Sequence, residues 1–169
     1  MNPRAGRVLL ILVVLAVTGC DQATKHLAER ELADGPAVLV RDHLELTVVR
    51  NPGVAFNVER VLPAPARRPV ALAVGLVLLP LLVLLALRSA RAASPWLTAG
   101  YALVLAGALG NLLDRVTRGS VVDFVHAWSG DTHFPVFNVA DVAICLGVPL
   151  LFIASRRAGA RSGAPSRPA

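Results

Sequence analysis

The chain has 169 residues, of which 55% are hydrophobic and 17% are charged, and its formal net charge is +6. Its mean hydropathy of +0.62 is high for a soluble domain of this size. The basic excess does not indicate a nucleic-acid-binding surface, because the arginines cluster in short segments beside long apolar stretches. Composition therefore favours a membrane protein and argues against nucleic acid as a partner.

Four long apolar stretches predict four transmembrane helices. They cover Val8–Leu27, Pro69–Leu87, Trp96–Leu113 and Val136–Ser155. Each approaches the roughly 20 residues that a helix needs to cross about 30 Å of hydrocarbon, and a helix satisfies its own backbone hydrogen bonds in lipid. The alternative, a buried helical core, would show amphipathic stripes, whereas Leu76–Leu87 is apolar all round apart from Pro80.

The distribution of charge predicts the orientation of these helices. Arginines without any acidic residue occupy the N-terminal segment, the connection between the second and third spans, and the tail. Short arginine-rich segments stay in the cytoplasm, so both termini and the second connection are expected there. The other two connections, at the outer face, hold or adjoin all eleven acidic residues.

The N-terminus also has a second interpretation. Arg4 and Arg7, an apolar run, and the sequence Val17–Cys20 resemble a secretory signal that ends in a lipoprotein cleavage box. A lipoprotein would continue into a soluble domain, but this chain continues into three more apolar stretches. We therefore expect an uncleaved first helix, in which the match at Cys20 is accidental.

The first outer connection, Ala28–Arg68, is the largest piece outside the predicted spans. Within it His43–Val48 alternates polar and apolar residues, which is the period of a β-strand, and Asn51–Gly53 is a turn signal. These patterns predict a small β element on the outer membrane surface. Three prolines near the second span predict a linker over Val61–Arg68.

The remaining segments outside the spans show no regular pattern. The second outer connection, Asp114–Pro135, is polar, and the tail after Arg156 has the composition of a disordered segment. The predicted fold is an all-α membrane fold with four transmembrane helices and a small extracytoplasmic β element. It forms one domain over residues 1–155, with its β-containing loop at about 28–68, followed by a disordered cytoplasmic tail over 156–169.

Polar residues at membrane depth are costly and mark candidate functional sites. Four groups lie near the outer ends of the spans: Asp21–Lys25, Asn51–Phe56, Gly107–Arg115, and Asp123 with Asn138 and Asp141. Structural explanations remain open for each. Asp21 and Lys25, four residues apart, can form an ion pair on one helix face. The second group can be a turn, and the glycines of the third can allow close helix packing.

Asp123 and Asp141 stand out as a candidate catalytic pair. Asp123 has apolar neighbours on both sides, and Asp141 lies inside the fourth apolar run, where Asn138 is expected on the same helix face. A lone Asp141 could also be a helix N-terminal charge. Two neighbouring carboxylates share a proton, so that one activates water and the other acts as general acid. Such a pair hydrolyses a peptide without a metal or another cofactor.

At these residues the chain resembles a known family, lipoprotein signal peptidase or signal peptidase II. The resemblance covers roughly Arg7–Ser155 and rests on five motifs in the family's order. They are Asp21-Gln22-x-Thr24-Lys25, Asn51-x-Gly53-x-Ala55-Phe56, Gly107-Ala108-Leu109-Gly110-Asn111-Leu112-x-Asp114-Arg115, Val121-Val122-Asp123-Phe124 and Phe137-Asn138-x-Ala140-Asp141. One departure is Val54–Asn57, where the family more often shows Ala-Ala-Phe-Ser, which concerns only details of the β element.

The resemblance implies a function and a set of site residues. Family members have four transmembrane helices with a β-cradle, and they remove the signal peptide from diacylglyceryl-modified prolipoproteins by cutting before the lipidated cysteine. Asp123 and Asp141 match the catalytic aspartates, and Asp114 is interpreted as a structural partner of Arg115. Seven residues match positions that bind substrate or shape the site: Asp21, Lys25, Asn51, Gly53, Asn111, Arg115 and Asn138. The resemblance also implies a bacterial plasma membrane location, with lipid and prolipoproteins as partners, and we expect a monomer.

A small transporter or channel subunit is the non-enzyme alternative. It would place polar residues through the bilayer midplane, often in repeated halves. Here the polar groups crowd one face and the second span has none. Zinc-protease, rhomboid-type and Gly-x-Gly-Asp protease motifs are also absent from the sequence.

Overall fold

The structure is a computed structural model that describes residues 2–52, 63–91 and 94–162. Within them it has four long helices: α1 (Pro3–Glu31), α2 (Ala64–Arg91), α3 (Pro95–Thr117) and α4 (Val139–Ser162). Each contains a stretch that is long and apolar enough to cross a membrane. The prediction of a four-helix membrane fold is confirmed.

The helix ends differ from the predicted spans in ways that matter for the site. Helix α1 begins directly after Asn2, whose side chain accepts hydrogen bonds from the backbone N–H of Arg4 and Ala5 at 2.7 and 3.1 Å. It ends at Glu31, about one turn beyond the predicted span. Helix α2 begins at Ala64, so the predicted linker is wrong from Ala64 to Arg68, because proline is tolerated in a first helical turn.

Helix α4 begins later and ends later than predicted. It starts at Val139, three residues after the start of the apolar run, and it continues to Ser162. The expected disorder is therefore wrong for residues 156–162, where arginine and alanine favour a helix and the guanidinium of Arg156 lies 4.8 Å from the ring centre of Phe152. Residues 163–169 lie outside the described residues.

A four-stranded antiparallel sheet accompanies the helices. Its strands are β1 (Ala37–Val40), β2 (Leu44–Asn51), β3 (Val121–Ser129) and β4 (Thr132–His133), in that spatial order. The alternating segment is indeed a strand, β2. The sequence patterns did not predict strand β3, so the second outer connection is not simply a polar loop. Its first four residues are all buried, so both faces are covered and no alternation appears.

The sheet lies at one end of the helix bundle. Strands β1 and β2 follow α1 and precede α2, while β3 and β4 connect α3 to α4, so the pairing of β2 with β3 joins the two connections. In this pairing Val49 lies opposite Asp123, and Asn51 lies opposite Val121. The register therefore brings the end of β2 beside the start of β3, next to the ends of α1 and α3.

Helix α3 is the central helix and packs against the other three. Two glycines allow this, as predicted. A Cβ atom on Gly107 would collide with the carbonyl oxygen of Ala140 in α4, and one on Gly110 would lie 2.5 Å from Oδ2 of Asp21 in α1. The outward faces of the helices are apolar, with large exposed side chains such as Val77 and Leu15, as a lipid-facing surface requires.

Candidate active site

The sequence-predicted site residues come together at the sheet end of the bundle. Five of them, from two helices and two strands, line one pocket of about 260 Å³: Asn51, Asn111, Arg115, Asp123 and Asp141. Apolar residues of α2, α3, β3 and α4 form the rest of its wall: Ala71, Val74, Gly75, Leu78, Leu79, Leu82, Ala108, Leu112, Val121 and Ile144. Gly53 lies outside the described residues.

Asn138 is the N-terminal cap of α4. Its side-chain oxygen accepts a hydrogen bond from the backbone N–H of Asp141 at 3.0 Å, and Oδ2 of Asp141 accepts one from the backbone N–H of Asn138 at 3.2 Å. This reciprocal arrangement is a capping box, which satisfies two N–H groups that a helix start leaves unpaired. Asn138 therefore precedes the helix, and the expectation that it shares a helical face with Asp141 is wrong.

The side chain of Asn138 also holds Asp123. Its Nδ2 donates to Oδ1 of Asp123 at 2.6 Å, while Nδ2 of Asn51 donates to Oδ2 at 3.1 Å. Both oxygens of this carboxylate thus accept an amide hydrogen bond. Asn138 is completely buried, so its contacts fix the positions of both aspartates relative to each other.

Asp141 is oriented by a second asparagine. Nδ2 of Asn111 in α3 donates to Oδ1 of Asp141 at 2.9 Å. The carboxylate lies in the first turn of α4, where the helix dipole favours negative charge. Asp141 is only partly buried, so it remains accessible from the pocket that it lines.

The environment of Asp123 changes its proton affinity. The residue is 2% exposed, and burial together with the nearby charge of Asp141 raises the pKa of its carboxyl to about 6. The hydrogen bonds from Asn51 and Asn138, and the positive charge of Lys25, oppose this rise in pKa. Asp123 can therefore exchange a proton close to neutral pH.

A buried ion cluster lies behind the two aspartates. Nζ of Lys25 is 2.8 Å from Oδ2 of Asp21 and 2.8 Å from Oδ2 of Asp114, and all three side chains are completely buried. The predicted ion pair between Asp21 and Lys25 is confirmed. The sequence analysis interpreted Asp114 only as a partner of Arg115. In the structure Asp114 binds Arg118 in addition to Lys25, and it accepts a hydrogen bond from the backbone N–H of Val122 at 3.1 Å.

Asp21 connects three helices through this cluster. Its Oδ1 accepts a hydrogen bond from the backbone N–H of Ala140 at 2.9 Å, which ties α1 to the first turn of α4. Gln22 was not among the predicted site residues, yet its Nε2 donates to Oδ1 of Asp114 at 3.0 Å. Arg118 was missed as well, although its spacing of four residues from Asp114 is a helical ion-pair signal.

Arg115 also lines the pocket. Its Nη1 donates to the backbone carbonyl of Asn111 at 3.1 Å, one turn earlier in α3. The guanidinium places positive charge near the two aspartates that line the same pocket.

Two carboxylates that line one pocket suit acid–base hydrolysis, and one peptidase family matches the sequence. A family model described as signal peptidase (SPase) II matches residues 13–157. The chain belongs to the signal peptidase II family. Because the match begins inside α1 and continues through Cys20, the first helix is part of the family domain, which favours an uncleaved helix over a lipoprotein signal.

Relatives of this signal peptidase II member cover most of its length. A protein of Acinetobacter baumannii named lipoprotein signal peptidase is 42% identical over 142 residues, which is 84% of this chain and 79% of the relative. One of Geobacter sulfurreducens with the same name is 39% identical over 142 residues, 83% of this chain and 87% of the relative. A solved bacterial membrane enzyme superimposes with a TM-score of 0.77 at 28% identity and covers 94% of both chains.

Proposed function

We propose that this enzyme removes signal peptides from diacylglyceryl-modified prolipoproteins, cutting before the lipidated cysteine, with Asp123 and Asp141 as the catalytic pair. The observation that carries the proposal is that both carboxylates line one pocket and are held by one residue, Asn138. Membership of the signal peptidase II family supports the substrate class.

The proposed reaction is a general acid–base hydrolysis. One carboxylate removes a proton from a water molecule, whose oxygen attacks the scissile carbonyl carbon. The other aspartate, protonated as a carboxylic acid, donates its proton to the leaving amine nitrogen as the C–N bond breaks, so the pair still holds one proton at the end. Because burial raises the pKa of Asp123 to about 6, the pair can hold the single proton that this cycle needs. No cofactor takes part.

The pocket suits a substrate that is itself lipidated. Its polar end carries the two aspartates, Asn51 and Arg115, and its wall along α2 is apolar from Ala71 to Leu82. Acyl chains can stay against such a wall while the peptide reaches the polar end. The β segment Leu44–Phe56 would help clamp the peptide, although Gly53–Phe56 lie outside the described residues. Deletion of this segment without loss of cleavage would refute that role.

The proposed location is the bacterial plasma membrane, with both termini in the cytoplasm and the pocket near the outer face. The arginine-rich termini support this orientation, and the enzyme would act as a monomer without nucleic acid. A fluorescent reporter that matures only in the cytoplasm, fused after Ala169, should fluoresce. A dark fusion that is nevertheless present in the membrane would reverse the orientation.

The decisive experiment is cleavage of a diacylglyceryl-modified prolipoprotein by purified enzyme in lipid nanodiscs, with mass spectrometry of the product. The wild type should release a product that begins with the lipidated cysteine, and Asp123→Asn and Asp141→Asn should each lose at least about 100-fold in kcat. Asp131→Asn, an exposed carboxylate on the same sheet side of the bundle, is the matched control and should stay active. Full activity in either catalytic variant would overturn the assignment.

A further inference from the structure

One side chain connects the buried ion cluster to the catalytic pair. Nζ of Lys25 donates to Oδ1 of Asn111 at 3.2 Å, and Nδ2 of Asn111 donates to Oδ1 of Asp141 at 2.9 Å. The path runs from a buried cation to a pocket carboxylate through a single amide group. The ammonium itself is completely buried and is not among the residues that line the pocket.

The cation determines which way the amide of Asn111 points. Its oxygen accepts from Lys25 and also lies 3.1 Å from Nδ2 of Asn138. An ammonium can only donate hydrogen bonds, so a rotated amide would turn its NH₂ group toward two donors. The same rotation would turn its oxygen toward the carboxylate of Asp141. Lys25 therefore favours the one orientation in which Asn111 donates to Asp141.

The geometry also accounts for lysine at this position. An ammonium has three N–H donors, and Lys25 meets three acceptors: Oδ2 of Asp21, Oδ2 of Asp114 and Oδ1 of Asn111. A planar guanidinium could not direct its donors in these three directions from one atom. Lys25 is the only lysine in a chain with sixteen arginines.

From these contacts we propose that Lys25 is a positioning residue for the catalytic pair, which acts by fixing the amide of Asn111 against Asp141. The inference rests on the proposed function, since it assumes that Asp123 and Asp141 carry out the hydrolysis. It assigns the buried cluster a part in the reaction beyond holding the helices together. The positive charge of Lys25 also favours the ionised form of Asp123.

A matched pair of variants separates positioning from general stability. Lys25→Met and Arg118→Met each remove one cation that binds Asp114, but of these two cations only Lys25 donates to Asn111. We expect Lys25→Met to lower kcat roughly 10- to 100-fold with little change in KM. Its pH profile should move to higher pH, because carboxylates that lose a nearby cation keep their proton longer. Arg118→Met should move the profile and lower kcat much less than Lys25→Met, because of these two cations only Lys25 binds the amide that holds Asp141.

A charge-balanced double variant is the control for loss of folding. Lys25→Met leaves Asp21 buried without its cation, so Lys25→Met combined with Asp21→Asn removes both charges and should restore the unfolding temperature. Positioning predicts that this folded double variant still shows the low kcat and the shifted pH profile. Recovery of both wild-type values would mean that Lys25 only neutralises Asp21, and the proposal would fail.

Asn111→Ala provides an independent test, because it leaves both salt bridges of Lys25 in place. It should lose about as much of kcat as Lys25→Met, and the combined variant should lose little more, since the two residues act in series. Wild-type kcat in Asn111→Ala, or multiplied losses in the combination, would overturn the proposal. An inactive wild type, or activity in Asp123→Asn, would instead contradict the proposed function itself.

Discussion

Asn138 donates its side-chain amide to Oδ1 of Asp123 at 2.6 Å, while its backbone and its side-chain oxygen form the cap that contains Asp141. One buried residue at the start of α4 thus determines where both carboxylates lie. The cap uses the backbone N–H and the side-chain oxygen of Asn138, whereas its side-chain nitrogen binds Asp123, so a substitution here can change stability and activity by separable routes.

Asn138→Ser is predicted to separate these two effects. Serine is a good N-cap, and its hydroxyl can accept the backbone N–H of Asp141, but it is too short to reach Asp123. The unfolding temperature should stay near that of the wild type while kcat falls roughly 10- to 100-fold. Asn138→Ala should lose the same activity and, in addition, about 1 kcal/mol of stability. Wild-type kcat in Asn138→Ser would show that the contact with Asp123 is dispensable.

The raised pKa of Asp123 predicts the pH dependence of kcat/KM, which reports on the free enzyme. The proposed catalytic pair needs one proton, and burial together with the charge of Asp141 raises the pKa of Asp123 to about 6, so this carboxyl holds a proton below that pH. Activity should therefore fall as pH rises through this value. Asn51→Ala removes a donor that favours the ionised carboxylate, so the fall should move to higher pH. An unchanged midpoint in Asn51→Ala would contradict this origin of the pKa.

Gly107 is predicted to be essential for the packing of α3 on α4. In Gly107→Ala the new methyl group would collide with the backbone oxygen of Ala140 and lie 2.7 Å from Cγ1 of Ile144, so the helices must separate. We expect a loss of about 1–3 kcal/mol in the free energy of unfolding in detergent. Gly19→Ala is the matched control, because a Cβ there meets no atom within 4 Å. Equal effects of the two substitutions would refute close packing as the reason for Gly107.

Much of the fold follows from local signals in the sequence. Continuous apolar stretches indicate the four helices, and the alternation of polar and apolar residues over His43–Val48 indicates β2, because successive side chains of a strand point to opposite faces. Strand β3 has no such pattern, since its first four residues are covered on both faces. The pairing of β2 with β3 joins segments some 70 residues apart, and no local pattern specifies it.

The sequence indicated most residues of the candidate site but only some of the contacts between them. Carboxylates in apolar surroundings indicated Asp123 and Asp141, and the resemblance to signal peptidase II indicated the rest. The spacing of Asn138 and Asp141 is itself a capping signal, which the earlier start of the apolar run concealed. The contact of Lys25 with Asp114 crosses from α1 to α3 and follows only from the packing of helices against Gly110.

Gly75 is predicted to keep the pocket wide enough for substrate. It lines the pocket on α2, and a Cβ there would lie 2.9 Å from Cδ1 of Leu112, the flexible end of a side chain that can move aside. Gly75→Leu should therefore fold but fill the apolar wall. The KM for a diacylglyceryl-modified prolipoprotein should rise roughly 10-fold or more, because a filled pocket removes binding surface from the lipid or the peptide.

Val77→Leu is the control for the Gly75 variant, since Val77 lies two residues along the same helix and is 72% exposed on the lipid-facing side. It adds apolar volume to α2 outside the pocket, so its KM and kcat should match those of the wild type.

Kinetics with substrates that carry shorter acyl chains then show whether the lipid or the peptide occupies the space beside Gly75. If Leu at position 75 fills the space of the acyl chains, shorter chains should recover the KM. If the leucine obstructs the peptide, KM should stay high for every chain length. An unchanged KM in Gly75→Leu would contradict the prediction, because it would show that the substrate does not contact this wall of the pocket.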